Sequence, residues 1–99
     1  MTDETKLVVL KQDLQLLTPA HDEYLKTLIS LAKSAIEREG IVLKDDIECD
    51  MAVVYYAAYL FRKRASNETA MPRFLRYQLN NILLSQKGRV AEWHTMTEF

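Results

Sequence analysis

The sequence predicts an all-α fold, a small four-helix domain with a C-terminal tail. Three observations predict it. The 99 residues include only two Gly and two Pro, too few for the many tight turns of a β-sandwich or barrel. Apolar residues recur at helical steps in four separate stretches. Start and stop signals for helices stand between those stretches.

The first helix is predicted over about 3–15. Leu7, Leu10, Leu14 and Leu17 form its stripe, with Thr2, Asp3 and Glu4 in the cap and first-turn positions that favour hydroxyls and acids. The stretch 15–17 unwinds into the next turn. Thr18-Pro19 then opens the longest helix, about 19–39: Thr as cap, Pro at a first position that needs no N–H, Asp22 and Glu23 suited to the dipole. Its stripe is Leu25, Leu28, Ile29, Ala32, Ala35 and Ile36, and Gly40 is its stop.

After a short apolar linker, Asp45 or Asp46 caps a third helix over about 47–64. Asp45 with Glu48 has the spacing of a capping box. This helix is apolar nearly all round and ends in Arg62-Lys63-Arg64. A helix apolar on all sides is either central or buried between subunits, and in so short a chain part of its surface is expected to await a partner. Pro72 opens the fourth helix, about 72–86, with Leu75, Leu79, Ile82 and Leu83 on one face and Gly88 as its stop. The tail 89–99 has no clear period, yet it holds Val90, Trp93, Met96 and Phe99. A tail with such large apolar groups is expected to dock on something.

Composition narrows the function classes. The chain is 48% hydrophobic with net charge −1, which excludes a disordered tail, and its length suits one domain. A single Cys allows no internal disulfide. The apolar run 52–61 is far short of the roughly 20 residues of a membrane span, and the acidic N-terminus is unlike a signal peptide. A soluble protein made in a reducing cytoplasm is expected, with no membrane partner. The charge is uneven: residues 1–50 carry six Lys and Arg against eleven Asp and Glu, residues 51–99 seven against three. Either the two signs mix on folding, or the subunit has an acidic and a basic side that attract in series.

Catalytic sets are absent from the sequence pattern. His21 and His94 sit in no metal-ligand motif, and two Gly exclude a glycine-rich phosphate loop. Asp46, Glu48 and Asp50 beside Cys49 disfavour a reactive thiolate, and the acids near 45–50 lack the spacing and central Gly of a calcium loop. The chain is expected to be no enzyme and to need no cofactor or metal. A DNA-binding reading rests on the cations Arg62, Lys63, Arg64, Arg73, Arg76, Lys87 and Arg89, with Tyr77, Asn80 and Asn81 on the same last helix. Against it stand the net charge and a loop too long for a helix-turn-helix.

The block from Met71 to Gly88, MPRFLRYQLNNILLSQKG, resembles the last helix of the head–tail connector proteins of tailed bacteriophages and prophages, also described as head-completion adaptor or DNA-packaging proteins. The resemblance extends upstream in helix order: a short first helix, a tight turn, a long second helix, and a Tyr-rich third helix ending in Arg and Lys. It implies a connector domain over 1–88 and a tail over 89–99. It further implies a ring beneath the portal, following the portal's twelvefold symmetry, that extends the DNA channel and joins the filled head to the next neck or tail protein. Packaged DNA would pass without sequence reading, and the virion would be the site of action after assembly in the host cytoplasm. On this reading Tyr55, Tyr56, Tyr59, Phe61, Arg62, Arg64, Arg73 and Arg76 are the expected subunit contacts, and Val90, Trp93, Met96 and Phe99 the expected portal-docking residues. The alternatives are a small DNA-binding regulator and a general helical interaction module.

Overall fold

The computed structural model describes residues 1–98, with side chains described as far as Lys87. It is all-α, with four helices and, among the described residues, no strand. Helix α1 (Asp3–Leu14) starts as the sequence predicts: Thr2 Oγ1 accepts the Thr5 N–H at 3.1 Å, and Asp3 and Glu4 fill the first turn. It ends on Gln15 in the left-handed region, φ 58°, whose N–H reaches the Gln12 carbonyl at 3.2 Å. A left-handed residue with a Cβ costs roughly 1–2 kcal/mol, so this turn is held by the packing on either side of it.

The single helix predicted over 19–39 is divided in the structure. Pro19–His21 form one 3₁₀ turn, and α2 (Asp22–Arg38) follows. Thr18 makes no side-chain cap bond. Pro19 has a fixed φ and no N–H, and its carbonyl accepts from Asp22, so the chain tightens before the α-helix begins. At the other end Gly40 adopts φ +95°, the conformation that makes glycine the natural helix stop, and donates to the Glu37 carbonyl at 3.0 Å.

Of the two candidate caps for α3 (Ile47–Ala65), the structure selects Asp46, which accepts the Cys49 N–H at 2.8 Å. Asp45 instead meets the Met1 ammonium at 3.2 Å, together with Asp50 at 3.3 Å, and so ties the start of α1 to the start of α3. α3 is the central helix and packs against α1, α2 and α4. Ala52, Val53, Val54, Ala57 and Ala58 are buried by these neighbours. Their small side chains let three helices approach closely enough to cover the inner side of α3, and the expectation that part of its surface awaits a partner concerns what they leave uncovered. Met51, Leu60 and the aromatic residues Tyr55, Tyr56, Tyr59 and Phe61 remain half-buried, and Ile47 is exposed.

The fourth helix, α4 (Arg73–Glu98), opens on Pro72, whose carbonyl accepts from Leu75 and Arg76. Leu75, Leu79 and Ile82 are buried, as their spacing predicts. The predicted end near 86 is not observed, because the helix runs through Gly88 to Glu98. Glycine inside a helix costs about 1 kcal/mol against alanine, which the good helix formers Arg89, Ala91 and Glu92 can absorb when no proline follows. The backbone of Val42 is held by Gln86 of α4, whose Oε1 accepts the Val42 N–H at 2.9 Å and whose Nε2 donates to its carbonyl at 2.8 Å.

Two outcomes are expected for stability. Leu79→Ala should lower the urea-derived unfolding free energy by about 2–5 kcal/mol, whereas Leu84→Ala, on the outer side of the same helix, should change it by less than about 0.5 kcal/mol. The Lys33 ammonium holds the Asp3 carboxyl below its ordinary range, and the Cys49 N–H does the same for Asp46. Depressed carboxyls contribute stability that is present above their unfolded pKa and is lost as the pH falls through their folded values. The thermal midpoint should therefore hold down to about pH 5 and fall below about pH 4. Asp46→Asn, which keeps an oxygen for the cap, should make that fall shallower.

Candidate functional site

One side of α4 lies in the core, but its outer side is also apolar. Phe74, Tyr77 and Leu84 are 55%, 62% and 65% exposed. Their spacing of three and then seven keeps them on one face. Phe74 stands edge-on to Tyr55 of α3, ring centres 5.0 Å apart. Beside it an open groove of about 370 Å³ is lined by Glu48, Phe74, Tyr77, Gln78, Asn81 and Ile82. Gln78 Nε2 donates to the Glu48 backbone carbonyl at 3.3 Å, which fixes the amide's orientation. Gln78 Oε1 is then buried without a donor among the described residues. A buried acceptor without a donor loses its hydration and gains nothing in return. The Glu48 carboxylate makes no ion pair among the described residues.

The residues the sequence singled out as subunit contacts fall into two groups. At the carboxy end of α3, Arg64 lies over the rings of Phe61 and Tyr24, 4.3 and 5.3 Å from their centres, and Lys63 lies over Tyr59 at 5.5 Å. His21 meets Phe61 edge-on at 5.7 Å. Arg62 is pinned to Asp13 of α1 at 3.2 Å. The second group surrounds Arg76, which pairs in a fork with both oxygens of Glu39 at 2.7 and 3.1 Å and reaches the Met71 sulfur at 3.4 Å. The Glu39 carboxylate raises the Arg76 pKa further, while burial pushes up the nearby Tyr56 hydroxyl. Tyr56 packs edge-on to Tyr59 at 5.9 Å. Arg73 is exposed.

Arg62 and Arg76 therefore join the basic half of the sequence to its acidic half within one chain. The two signs mix on folding at these points, and the described cations of the basic half left outward without an ion pair are Lys63, Arg64, Arg73 and Lys87. The outer stripe of α4 was not legible as such. Tyr77 was read beside Asn80 and Asn81 as a nucleic-acid contact, and Phe74 and Leu84 lay unassigned next to a strong core stripe. The detectable signal was a second apolar spacing on the same helix. The expected docking residues Val90, Trp93 and Met96 lie beyond the described side chains, and Phe99 lies beyond the described residues.

Other chemistry is quiet among the described residues. Burial, more than its acidic neighbours, pushes the Cys49 thiol up, which keeps it protonated and unreactive. No three His, Cys, Asp or Glu side chains gather as a metal site, and no helix is long and apolar enough to cross a membrane. Lys6 and Asp50 are buried together and pair at 3.7 Å near the Met1 ammonium.

A double-mutant cycle on Glu39→Gln and Arg76→Gln should give a coupling of about 0.5–1 kcal/mol, reduced by salt because the pair is partly exposed.

Compared with models of known protein families, with curated proteins and with solved structures, the chain matches none.

Proposed function

We propose that this chain is a neck protein of a tailed phage or prophage: a structural subunit that joins copies of itself into a ring beneath the portal. The ring would extend the DNA channel and connect the filled head to the next neck or tail protein. Its role is binding, not catalysis, and DNA passes it without sequence reading. It acts in the virion after assembly in the host cytoplasm.

The observation that carries this reading is the two-sided character of α4. The block resembling connector proteins, Met71 to Gly88, falls on this helix. One of its faces holds Leu75, Leu79 and Ile82 in the core, and the other presents Phe74, Tyr77 and Leu84 outward. Exposing three large apolar side chains on one helix costs solubility unless another surface covers them. The second arm of the reading is the tail 89–99: its residues 89–98 continue the helical backbone of α4, and the tail carries the apolar residues expected to meet the portal.

Negative-stain microscopy of the purified chain, with and without portal rings, tests the proposal. Added density in a closed ring on the portal is expected. A chain that stays monomeric beside portal rings would overturn it. Leu84→Asp should leave the thermal midpoint within a few degrees of wild type, yet abolish the ring. Removal of 89–99 should release the chain from the portal while leaving the domain folded.

A further inference from the structure

The exposed cations of α3 and the groove beside α4 are complementary in chemistry. We propose that copies of this chain meet in series, with Lys63 and Arg64 of one copy entering the Glu48–Phe74–Tyr77–Gln78 groove of the next. The inference deepens the ring reading and rests on it for the expectation that copies assemble in series.

Four observations carry it. The groove offers the exposed Glu48 carboxylate, which makes no ion pair among the described residues, and the exposed rings of Phe74 and Tyr77. A guanidinium brings five donors and no acceptor, and it favours the face of an aromatic ring. It thus answers the carboxylate and the rings at once, whereas an acidic side chain would be repelled by Glu48 and an aliphatic one would leave that carboxylate unpaired.

Lys63 and Arg64 are exposed and make no ion pair among the described residues. Arg64 already lies over Phe61 and Tyr24, so part of its rotamer freedom is spent before a second aromatic surface closes over it. Arg62, the third member of the basic run, is engaged by Asp13 and stays behind.

The two surfaces sit at opposite ends of one rigid element. Glu48 lies in the first turn of α3 and Arg64 in the last. Sixteen residues of helix separate them by about 24 Å, so a subunit cannot satisfy its own groove. A contact between two different surfaces is heterologous, and repeated around a closed rotation it gives a ring. Arg73 and Lys44 flank the groove in sequence, but neither pairs with Glu48. The attraction is therefore local, from the acceptors and rings, and not from a broad acidic field.

The test uses the full chain as an equal mixture of ordinary and nitrogen-15-labelled protein, both free over a concentration series and assembled on portal rings. A carbodiimide joins a lysine amine directly to a carboxylate. A mixed-isotope peptide linking Lys63 to Glu48 is expected. Charge reversal provides the second arm: Lys63→Glu with Arg64→Glu in one variant, Glu48→Lys in another. Each variant alone should self-associate about tenfold more weakly or worse, while remaining folded with a cooperative thermal transition, its midpoint lowered by the reversed charges at the helix ends. Mixing the two should restore pairing.

Absence of the Lys63–Glu48 link in both samples, whether the chain is monomeric or joined elsewhere, would overturn the proposal. So would variants that associate as wild type. The two readings fail separately. Rings on the portal without this link would leave the neck reading standing and remove the contact. The link in free protein that ignores the portal would do the reverse.

Discussion

Ala52, Ala57 and Ala58 have side chains of a single carbon, and all three are buried on α3. Their smallness sets how closely α1, α2 and α4 approach the central helix. Larger residues at these positions would force the surrounding helices apart, because a packed interior has almost no spare volume. Val53 and Val54 fill the spaces between them with stiff branched side chains. The core that results is one continuous cluster, from Leu7 and Leu10 of α1 through Ile29 and Ile36 of α2 to Leu75 and Leu79 of α4.

That central packing decides where polar groups go. With the inner face of α3 covered, its two ends carry the interactions that orient the outer elements. The acidic start of α3 fastens the beginning of α1 through Asp45 and Asp50. Its basic end fastens the close of α1 through Arg62 and Asp13. The Glu39–Arg76 fork then locks the end of α2 to α4. These partly exposed pairs contribute modestly to stability, but they fix the angles at which the helices leave the core. The outward surfaces of α4 and of the α3 terminus are presented as a consequence.

Most of this was legible in the sequence. Helical spacing located all four helices, and Thr2, Asp46, Gly40 and Pro72 are at the boundaries where their chemistry places them. Three points were not legible. The 3₁₀ turn at Pro19 looks the same in sequence as a first helical turn, because proline favours both. Gly88 reads as a stop by identity alone, whereas stopping requires the left-handed backbone that Gly40 adopts. How the surplus apolar surface is shared among the helices was the third, since periodicity reports how many apolar residues a helix has and not how many neighbours will cover them. Exposed apolar residues occur on every helix, Val8, Leu31 and Ile47 among them, and on α4 Phe74 and Tyr77 interleave with the core stripe and mask their own period.

The pairing of Gln86 with Val42 bears on how α4 is seated. One side-chain amide satisfies both the N–H and the carbonyl of a single residue in the linker between α2 and α3. A small sliding or rotation of α4 would strain both bonds together, because they share one planar group. The register of α4 against the linker is thereby tied to a single side chain: Gln86→Ala would release both backbone groups of Val42 to water at once.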